Sequence, residues 1–511
     1  MPGLFFHSDT LMFRAVRTSV IIAAFAFVLV ATAAADTTNQ PRQLITKADC
    51  IRAALEHNLD IKIERYVPEI ARYNLNIGYA AYEPVFSSTA THSYDQSPGG
   101  IDQQNQPYPG AVTKIDAVTA GFTGLLPFGT SYSFTGDLAD TTGENSGGPL
   151  ANTGGAASIQ ATQPLLKNLW IDAPRMTIQV NKKLLRYSEL ALRLQIMTTV
   201  TAVESAYYDL ILAEENVKVQ RESLQLAEKL FTEDKRRVEV GSLARLDEKQ
   251  AESQVAASQA TLLDAERAMA AQQNVVKLLI IDDTASWRNG APEPSESLIA
   301  TPQDFDLNKS WQKAFTQRPD LLQSRVDLER QGIVVKYLRN QLFPELDLVG
   351  SYGHNASESQ FAGAFDDLRR GDSPFYSYGA ALTVPLGNGN ARNNYKIGKA
   401  TRGQLLLRLK QLELQTMSQV EDAVKLAQTD LQRVEATRQS RLFAETALDA
   451  EQKKMETGKS TSFFVLQLQR DLTAARSAEV QALADYNIAL VQLAFNEGTT
   501  LERNKLDLEV K

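Results

Sequence analysis

Residues 196–241 read IMTTVTAVESAYYDLILAEENVKVQRESLQLAEKLFTEDKRRVEVG, and Ile196, Val203, Leu210, Val217, Leu224, Phe231 and Val238 stand seven apart along them. A sustained seven-residue apolar period is the seam of a coiled coil. The period resumes after Gly241 at Val255, Leu262, Met269 and Val276. It returns more loosely at Val420, Ala427, Val434, Leu448 and Met455, where Arg441 interrupts it. The seam by itself also suits a long amphipathic helix in a filamentous or adaptor protein, so lengths must decide.

Pro174 stands at the first helical position after the cap candidate Asp172, and the helix from there to Val240 has 67 residues, or ~100 Å at 1.5 Å per residue. Ala391 to Thr457 is also 67 residues long. The helices after the turns, Leu243–Ile281 and Ser460–Glu497, have 39 and 38 residues, and two earlier helices, Leu59–Tyr82 and Pro319–Leu342, have 24 each. A short helix stacked end to end on another therefore nearly spans one long helix. Two such sets per chain, repeated about an axis, make a tube one helix thick. The symmetry must close, because an open edge would leave an apolar seam in water.

The lengths match because the chain is duplicated. An offset of 260 aligns Ala54 with Ala314, Asp60 with Asp320, Ile61 with Leu321 and Pro84 with Pro344. An offset of 217 aligns Gly241 with Gly458, Gln250 with Gln467, and Val203, Val217 and Phe231 with Val420, Val434 and Leu448. The first repeat is 36–281 (helices 46–82, strands 85–165, coiled-coil hairpin 174–281). A linker, 282–304, precedes the second repeat, 305–497 (helices 305–342, strands 345–386, hairpin 391–497), and a polar tail, 498–511. The first copy is longer by 43 residues, near 98–150. They hold a Gly/Asn/Gln/Pro-rich loop, Ser97–Gly110, and a hairpin-like segment, Lys114–Asp140, turning at Pro127-Phe128-Gly129-Thr130. This surplus either forms an external loop or adds strands; the reading favours an extension beyond the membrane.

Strand candidates lie at one end. Val85–Tyr94 is rich in β-branched and aromatic residues and has Ala157–Pro164 as its expected partner; Glu345–Tyr352 and Phe375–Leu386 match them in the second copy. Pro84 and Pro344 mark the helix-to-strand junctions, since proline disfavours helix at the residue before it. Segments of about ten residues with alternating polarity suit a membrane barrel, and four per chain give twelve in a trimer.

Arg14 and Arg17 precede an apolar run, Val20–Val30, that ends in Ala33-Ala34-Ala35. That is a secretory signal peptide, 1–35, cut before Asp36. No later segment approaches a transmembrane helix in apolar length, so a spanning region has to be a closed barrel. Cys50 is the single cysteine, and the net charge of −8 argues against nucleic acid. His7, His57, His92 and His354 have no metal-ligand spacing, and no nucleophile elbow, phosphate loop or paired-Cys motif is present. The sequence thus offers neither an enzyme nor a cofactor site.

These elements together resemble the TolC-like outer-membrane efflux protein family over about residues 44–498. The resemblance rests on Ala53-Ala54-Leu55-Glu56-His57-Asn58-Leu59-Asp60-Ile61 and its repeat Ala314 to Leu321, on Gln163-Pro164-Leu165-Leu166, and on Leu382-Thr383-Val384-Pro385-Leu386. It implies a mainly α fold with a membrane β-barrel: a homotrimer with a twelve-stranded outer-membrane barrel in lipid, a periplasmic α-barrel, and an equatorial domain from about Asp282–Asp304 and Gly498–Lys511. It further implies a passive exit duct for efflux or type I secretion. A periplasmic adaptor (membrane fusion) protein would open it and an inner-membrane transporter of RND or ABC type would energise it. The family's entrance and adaptor contact map onto Val240, Gly241, Ser242 and Leu243, with Asp247 close behind, and onto Thr457, Gly458, Lys459 and Ser460. The second copy departs from the pattern, with Phe463 and Phe464 where an acidic residue is usual. The seams are expected to be marginal near these turns, in keeping with Arg441. A periplasmic coiled-coil adaptor or scaffold is the alternative; it would lack the strand pairs.

Overall fold

The computed structural model describes residues 43–506 apart from 102, 109, 146, 147 and 289. The expected signal peptide, 1–35, and the end of the tail, 507–511, lie outside the described residues. Ten helices are assigned among them: α1 (Lys47–His57), α2 (Leu59–Tyr79), α3 (Ala173–Glu239), α4 (Arg245–Ile280), α5 (Leu307–Gln317), α6 (Pro319–Asn340), α7 (Phe361–Arg370), α8 (Gly389–Glu456), α9 (Ser462–Glu497) and α10 (Thr500–Arg503). The strands are β1 (Gln43–Ile45), β2 (Val85–Gln96), β3 (Gly100–Ile101), β4 (Pro107–Tyr108), β5 (Val112–Leu125), β6 (Ser131–Asn145), β7 (Gly148–Pro164), β8 (Pro292–Pro294), β9 (Glu345–Glu358) and β10 (Pro374–Thr383). None of the described helices is long and apolar enough to cross a membrane.

The helix α3 begins where Asp172 accepts a hydrogen bond from the Arg175 backbone N–H at 2.8 Å and Pro174 fills the first turn. Such a cap satisfies one of the N–H groups a helix start leaves open. The seam residues Ile196, Val203, Leu210 and Val217 are all buried, as are Val420, Ala427, Val434, Leu448 and Met455 of α8. The helices lie in a row, α4–α3–α9–α8 toward the turns and α2–α3–α6–α8 toward the strands. Arg441, read in the sequence as an interruption of the seam, is fully partnered in that row. Its guanidinium is ion-paired to Glu479 of α9 and bonded to Glu445 at 2.9 Å, while Arg476 bridges Glu445 and Glu222 of α3. A charged network replaces one apolar layer there.

Short helices stack at two junctions. Asn58 caps α2 through the Asp60 and Ile61 N–H groups, and its side-chain amide donates to the Leu279 carbonyl at the end of α4 (3.1 Å). Beside it, Lys62 and His57 hold the Asp282 carboxyl down to about 2. At the second junction Arg318 is nearly buried. It grips Asp320 with two donors (2.7 and 3.1 Å), bonds Gln419 of α8 (2.9 Å) and reaches the Asn496 carbonyl near the end of α9. Gly498 ends α9 at φ +80°, and a β-carbon there would lie 2.8 Å from the Arg318 backbone nitrogen, so the close approach needs glycine.

A belt surrounds these junctions. In it β1 pairs in parallel with β8, and Cys50, Ile51, Ala54, Met197, Val200, Tyr207, Leu210, Val276, Val491 and Leu501 form one core. The expected equatorial segments contribute β8 and α10. The belt also takes in α1, which the sequence reading assigned to the first helices, 46–82, and β1, which precedes them.

The strand count differs from expectation. One sheet holds six strands in the order β10-β9-β7-β6-β5-β2, not four. The surplus segment forms β5 and β6, which separate β2 from its expected partner β7: β2 pairs with β5 from Val85↔Thr123 to Gln96↔Val112, and β6 pairs with β7 from Ser131↔Thr162 to Asn145↔Gly148. Strands β5 and β6 run as far as β2 and β7, and the four together continue past the last pairs of β9 (Glu358↔Thr153) and β10 (Pro374↔His354), as an extension of the strands would. Their turn, Leu126–Thr130, lies at the helix end of the sheet, where Thr130 bonds Gln163 and Gly129 sits under the Arg175 guanidinium. The loop before β5 contains the small β3–β4 pair. Pro84 and Pro344 immediately precede β2 and β9.

Because Arg318 ties α6, α8 and α9 while almost buried, Arg318→Ala is expected to destabilise the chain by about 3 kcal/mol, read as the shift of the denaturant midpoint. Arg318→Lys should restore less than half, since an ammonium cannot make the two-donor contact with Asp320.

Candidate functional site

The helix turns after α3 and α8 are built alike, residue for residue. Gly241 and Gly458 both stand at φ +73°. The Gly241 N–H donates to the Val238 carbonyl (3.0 Å) and the Ser242 N–H to the Arg237 carbonyl (2.8 Å); Gly458 and Lys459 repeat this on Met455 (3.0 Å) and Lys454 (2.9 Å). This pair of bonds is the Schellman ending, which satisfies the last carbonyls of a helix and requires a left-handed residue. A β-carbon on either glycine would meet nothing within 4 Å. The glycines are thus set by backbone conformation alone, and the turns around them are open to solvent.

Of the residues singled out in the sequence, Val240, Gly241, Ser242, Thr457, Gly458 and Lys459 are exposed. Leu243, Asp247 and Ser460 are half-buried, with Asp247 in the first turn of α4 and Ser460 bonded to Glu451. The two turns sit at the same end of the row. Leu230 of α3, Leu448 and Met455 of α8, and Val465, Leu466 and Leu472 of α9 form a single cluster just behind them. Phe463 and Phe464 are exposed beside the second turn with their rings edge to face, 5.7 Å apart.

The sequence reading missed Asp234. It lies one turn before the end of α3, fully buried, and accepts a 2.8 Å hydrogen bond from the Ser462 hydroxyl at the start of α9. Its second carboxylate oxygen has no partner among the described residues. Burial pushes its carboxyl above the usual range against the opposing Ser462 bond, and Asp247 and Glu233 add to the rise. A polar residue on the face of Ala227 and Leu230 was the available signal, but a solvated acid has the same appearance in sequence.

Two expectations follow for this end. Gly458→Ala forces a β-carbon into the left-handed region at a cost of about 1–2 kcal/mol, so hydrogen exchange should accelerate over the last turn of α8 while the α3 junctions stay protected. Gly458→Asn should cost less. For Asp234, the folded-state pKa lies above the unfolded one near 3.9. The folded chain then binds the proton more tightly, and stability is lost as pH rises through the folded value. Thermal unfolding should therefore show a loss as pH rises above about 4 in the parent that is smaller in Asp234→Asn. An identical pH dependence in both would contradict the burial argument.

Comparison with known proteins agrees with this geometry. A profile of the family described as Outer membrane efflux protein matches residues 151–280 and 311–499. Nodulation protein T of Rhizobium leguminosarum bv. trifolii is 24% identical over 309 residues, which cover 58% of this chain and 61% of that protein. The pyoverdine export outer membrane protein OpmQ of Pseudomonas aeruginosa is 25% identical over 286 residues, covering 56% and 58%. The chain thus spans about three fifths of the length of each of these two relatives. Among solved structures, a membrane protein from Pseudomonas aeruginosa superposes with a TM-score of 0.66 at 20% identity over 88% of this chain and 92% of that one. The Campylobacter jejuni CmeC outer membrane channel superposes with a TM-score of 0.64 at 16% identity over 91% and 90%. With a fold shared along nearly its whole length and a profile match on both coiled-coil hairpins, the chain belongs to the outer membrane efflux protein family.

Proposed function

We propose that this chain is one protomer of a closed homotrimeric outer-membrane duct, a passive conduit for efflux or secretion built from two copies of one structural unit. The observation that carries the reading is an uncovered seam. On α2, Leu59, Ile63, Tyr66, Ile70, Tyr73 and Ile77 are all exposed, spaced four and three apart on the side away from α3, which covers Gly78. That spacing is an a/d stripe and calls for a partner helix. At the far edge of the row, α8 exposes Ile397, Leu407 and Leu414. A rotation that brings the α8 edge of one chain onto the α2 edge of the next covers both, and three such steps close the tube.

The sheet supports the same closure. Its edge strands β2 and β10 each have one unpaired side within the chain, and in lipid an open edge is forbidden. Phe86, Phe122, Phe134, Ile159, Tyr352 and Tyr376 fall in one register row across all six strands, 48 to 74% exposed. The opposite face carries Thr123, Ser133, Gln160, Ser351 and Ser377 in one row. An apolar, aromatic outer face and a hydroxyl-rich inner face suit lipid outside and water inside. A soluble scaffold has no use for that aromatic row.

On this reading the turns at Val240–Leu243 with Asp247, and at Thr457–Ser460, form the periplasmic entrance. A periplasmic adaptor that binds the open arrangement better than the closed one shifts the population toward it. Energy comes from an inner-membrane RND or ABC transporter, so the duct itself needs no cofactor. Membrane fractionation followed by mass determination in detergent tests the proposal: a trimer from the outer membrane is expected. Ile63→Glu with Ile70→Glu places two charges in the α2 stripe and should leave mainly monomer; an unchanged trimer mass would remove the stripe from the interface.

A further inference from the structure

We propose that the β5–β6 hairpin enlarges the exit, so that three protomers close an eighteen-strand barrel that passes bulkier hydrated cargo than twelve strands allow. The inference rests on the trimeric reading above and adds to it the width of the pore.

Three observations place the hairpin inside the barrel wall. First, pairing is unbroken on both of its sides, with β5 joined to β2 through Gln96↔Val112 and β6 joined to β7 through Asn145↔Gly148. Second, it spans the full height of the sheet. Its turn is fixed at the helix end by the Thr130–Gln163 bond and by the contact of Gly129 with Arg175, while its far ends reach the rows of Gln96 and Gly148. Third, its alternation continues that of the neighbouring strands. Phe122 and Phe134 complete the outer aromatic row, with Phe86 and Phe122 5.0 Å apart, and Thr119 and Asp137 continue the inner row between Thr89 and Ala156. A hairpin folded over the mouth would share neither row.

The helical tube makes the larger count fit. Four helices lie side by side in each chain, so a trimer has a ring of twelve at about 9 Å each, roughly 110 Å around. Eighteen strands spaced about 4.8 Å and tilted about 40° also give roughly 110 Å, whereas twelve give only about 75 Å. The hairpin therefore lets the sheet continue the tube without a sharp taper. Barrel diameter grows about linearly with strand number, so the exit is about 1.5-fold wider. The added lumen wall brings Ile115, Ala117, Thr119, Gly121 and Thr123 from β5, and Ser133, Thr135, Asp137 and Ala139 from β6, largely small or hydroxyl side chains. Such a lining, with Asp137 the one charged side chain among these, fits bulky, water-solvated cargo.

Thiol pairs in the full-length chain separate the arrangements. Thr89, Thr119, Asp137 and Ala156 lie in one inner row on consecutive strands, so β2 and β7 are three strand spacings apart, about 14 Å. With a thiol linker of about 5 Å, Thr89→Cys with Thr119→Cys and Asp137→Cys with Ala156→Cys are expected to join, and Thr89→Cys with Ala156→Cys is not. The native Cys50 does not compete, since it is buried and its thiol is pushed up to about 12, chiefly by burial. Joining of the Thr89/Ala156 pair in a trimeric particle would overturn the eighteen-strand wall and leave the duct standing. The expected pairs in a particle that is not a trimer would instead sink the duct reading and with it the count. Electron cryomicroscopy of the barrel in cross-section supplies the direct measure: eighteen strands about 36 Å across support the proposal, and twelve strands about 24 Å across refute it.

Discussion

A helix in the middle of a one-layer row has to bury two opposite faces, and the rest of this molecule depends on how α3 does so. It packs against α4 and α9 over one half of its length and against α2 and α6 over the other. A single a/d stripe covers one neighbour. The second needs an additional apolar or small face, and α3 supplies it through Met197, Val200, Ala206, Tyr207 and Ile211 beside the seam residues. Once α3 is committed on both sides, α8 and α2 are left as edges, each with apolar side chains turned outward. On the proposed trimeric reading, closure would follow from the row and need no separate specification.

The row also has to change neighbours halfway, from α4 to α2 and from α9 to α6, and the two junctions solve this differently. At the first, Asn58 both caps α2 and bonds the Leu279 carbonyl near the end of α4, and it does so without charge. At the second, a proline starts α6, and the nearly buried Arg318 takes over the contacts to α8 and α9. A guanidinium with five donors serves three elements where an amide serves two. Stacked helix ends leave unpaired backbone groups in the interior, which is why polar side chains are concentrated here inside an otherwise apolar belt.

Much of this was legible in the sequence, because seams, proline junctions and turn glycines carry local rules. The seven-residue period from Ile196 locates a buried stripe directly, and Gly241 and Gly458 stand where a helix must end in the left-handed region. The six-strand sheet was harder to read. Its strands are rich in Gly, Ala, Ser and Thr, as in Gly148–Pro164, and such residues mark neither face strongly. Strand pairing is non-local as well, so the surplus of residues in the first copy indicated extra chain but not its place in the sheet order. Arg441 misled because an arginine in an apolar register reads as a gap until its partner Glu479, on another helix, is known. Asp234 was hidden for the same reason, its partner Ser462 being far along the chain.

Burial along α3 is uneven in a way that bears on the proposed duct. Within one protomer the buried residues are dense from Ser188 to Val219, whereas beyond them only Ala227, Leu230 and Asp234 are buried. An apolar side chain fully removed from water contributes about 1.5–3 kcal/mol, while a hydrogen bond such as that from Ser462 to Asp234 contributes about 1 kcal/mol and here holds a carboxylate whose second oxygen has no partner. Along α3, therefore, apolar burial is dense at the belt and sparse toward the turn, where Leu230 with its cluster on α8 and α9 remains, and local opening follows sparse apolar burial of this kind. A duct that opened by loosening along its whole length would expose its seams to water. One that loosens only at the turns keeps α3 anchored on both faces and moves the helix ends alone, which is the motion a docking partner at the turns can drive while the belt core stays dry.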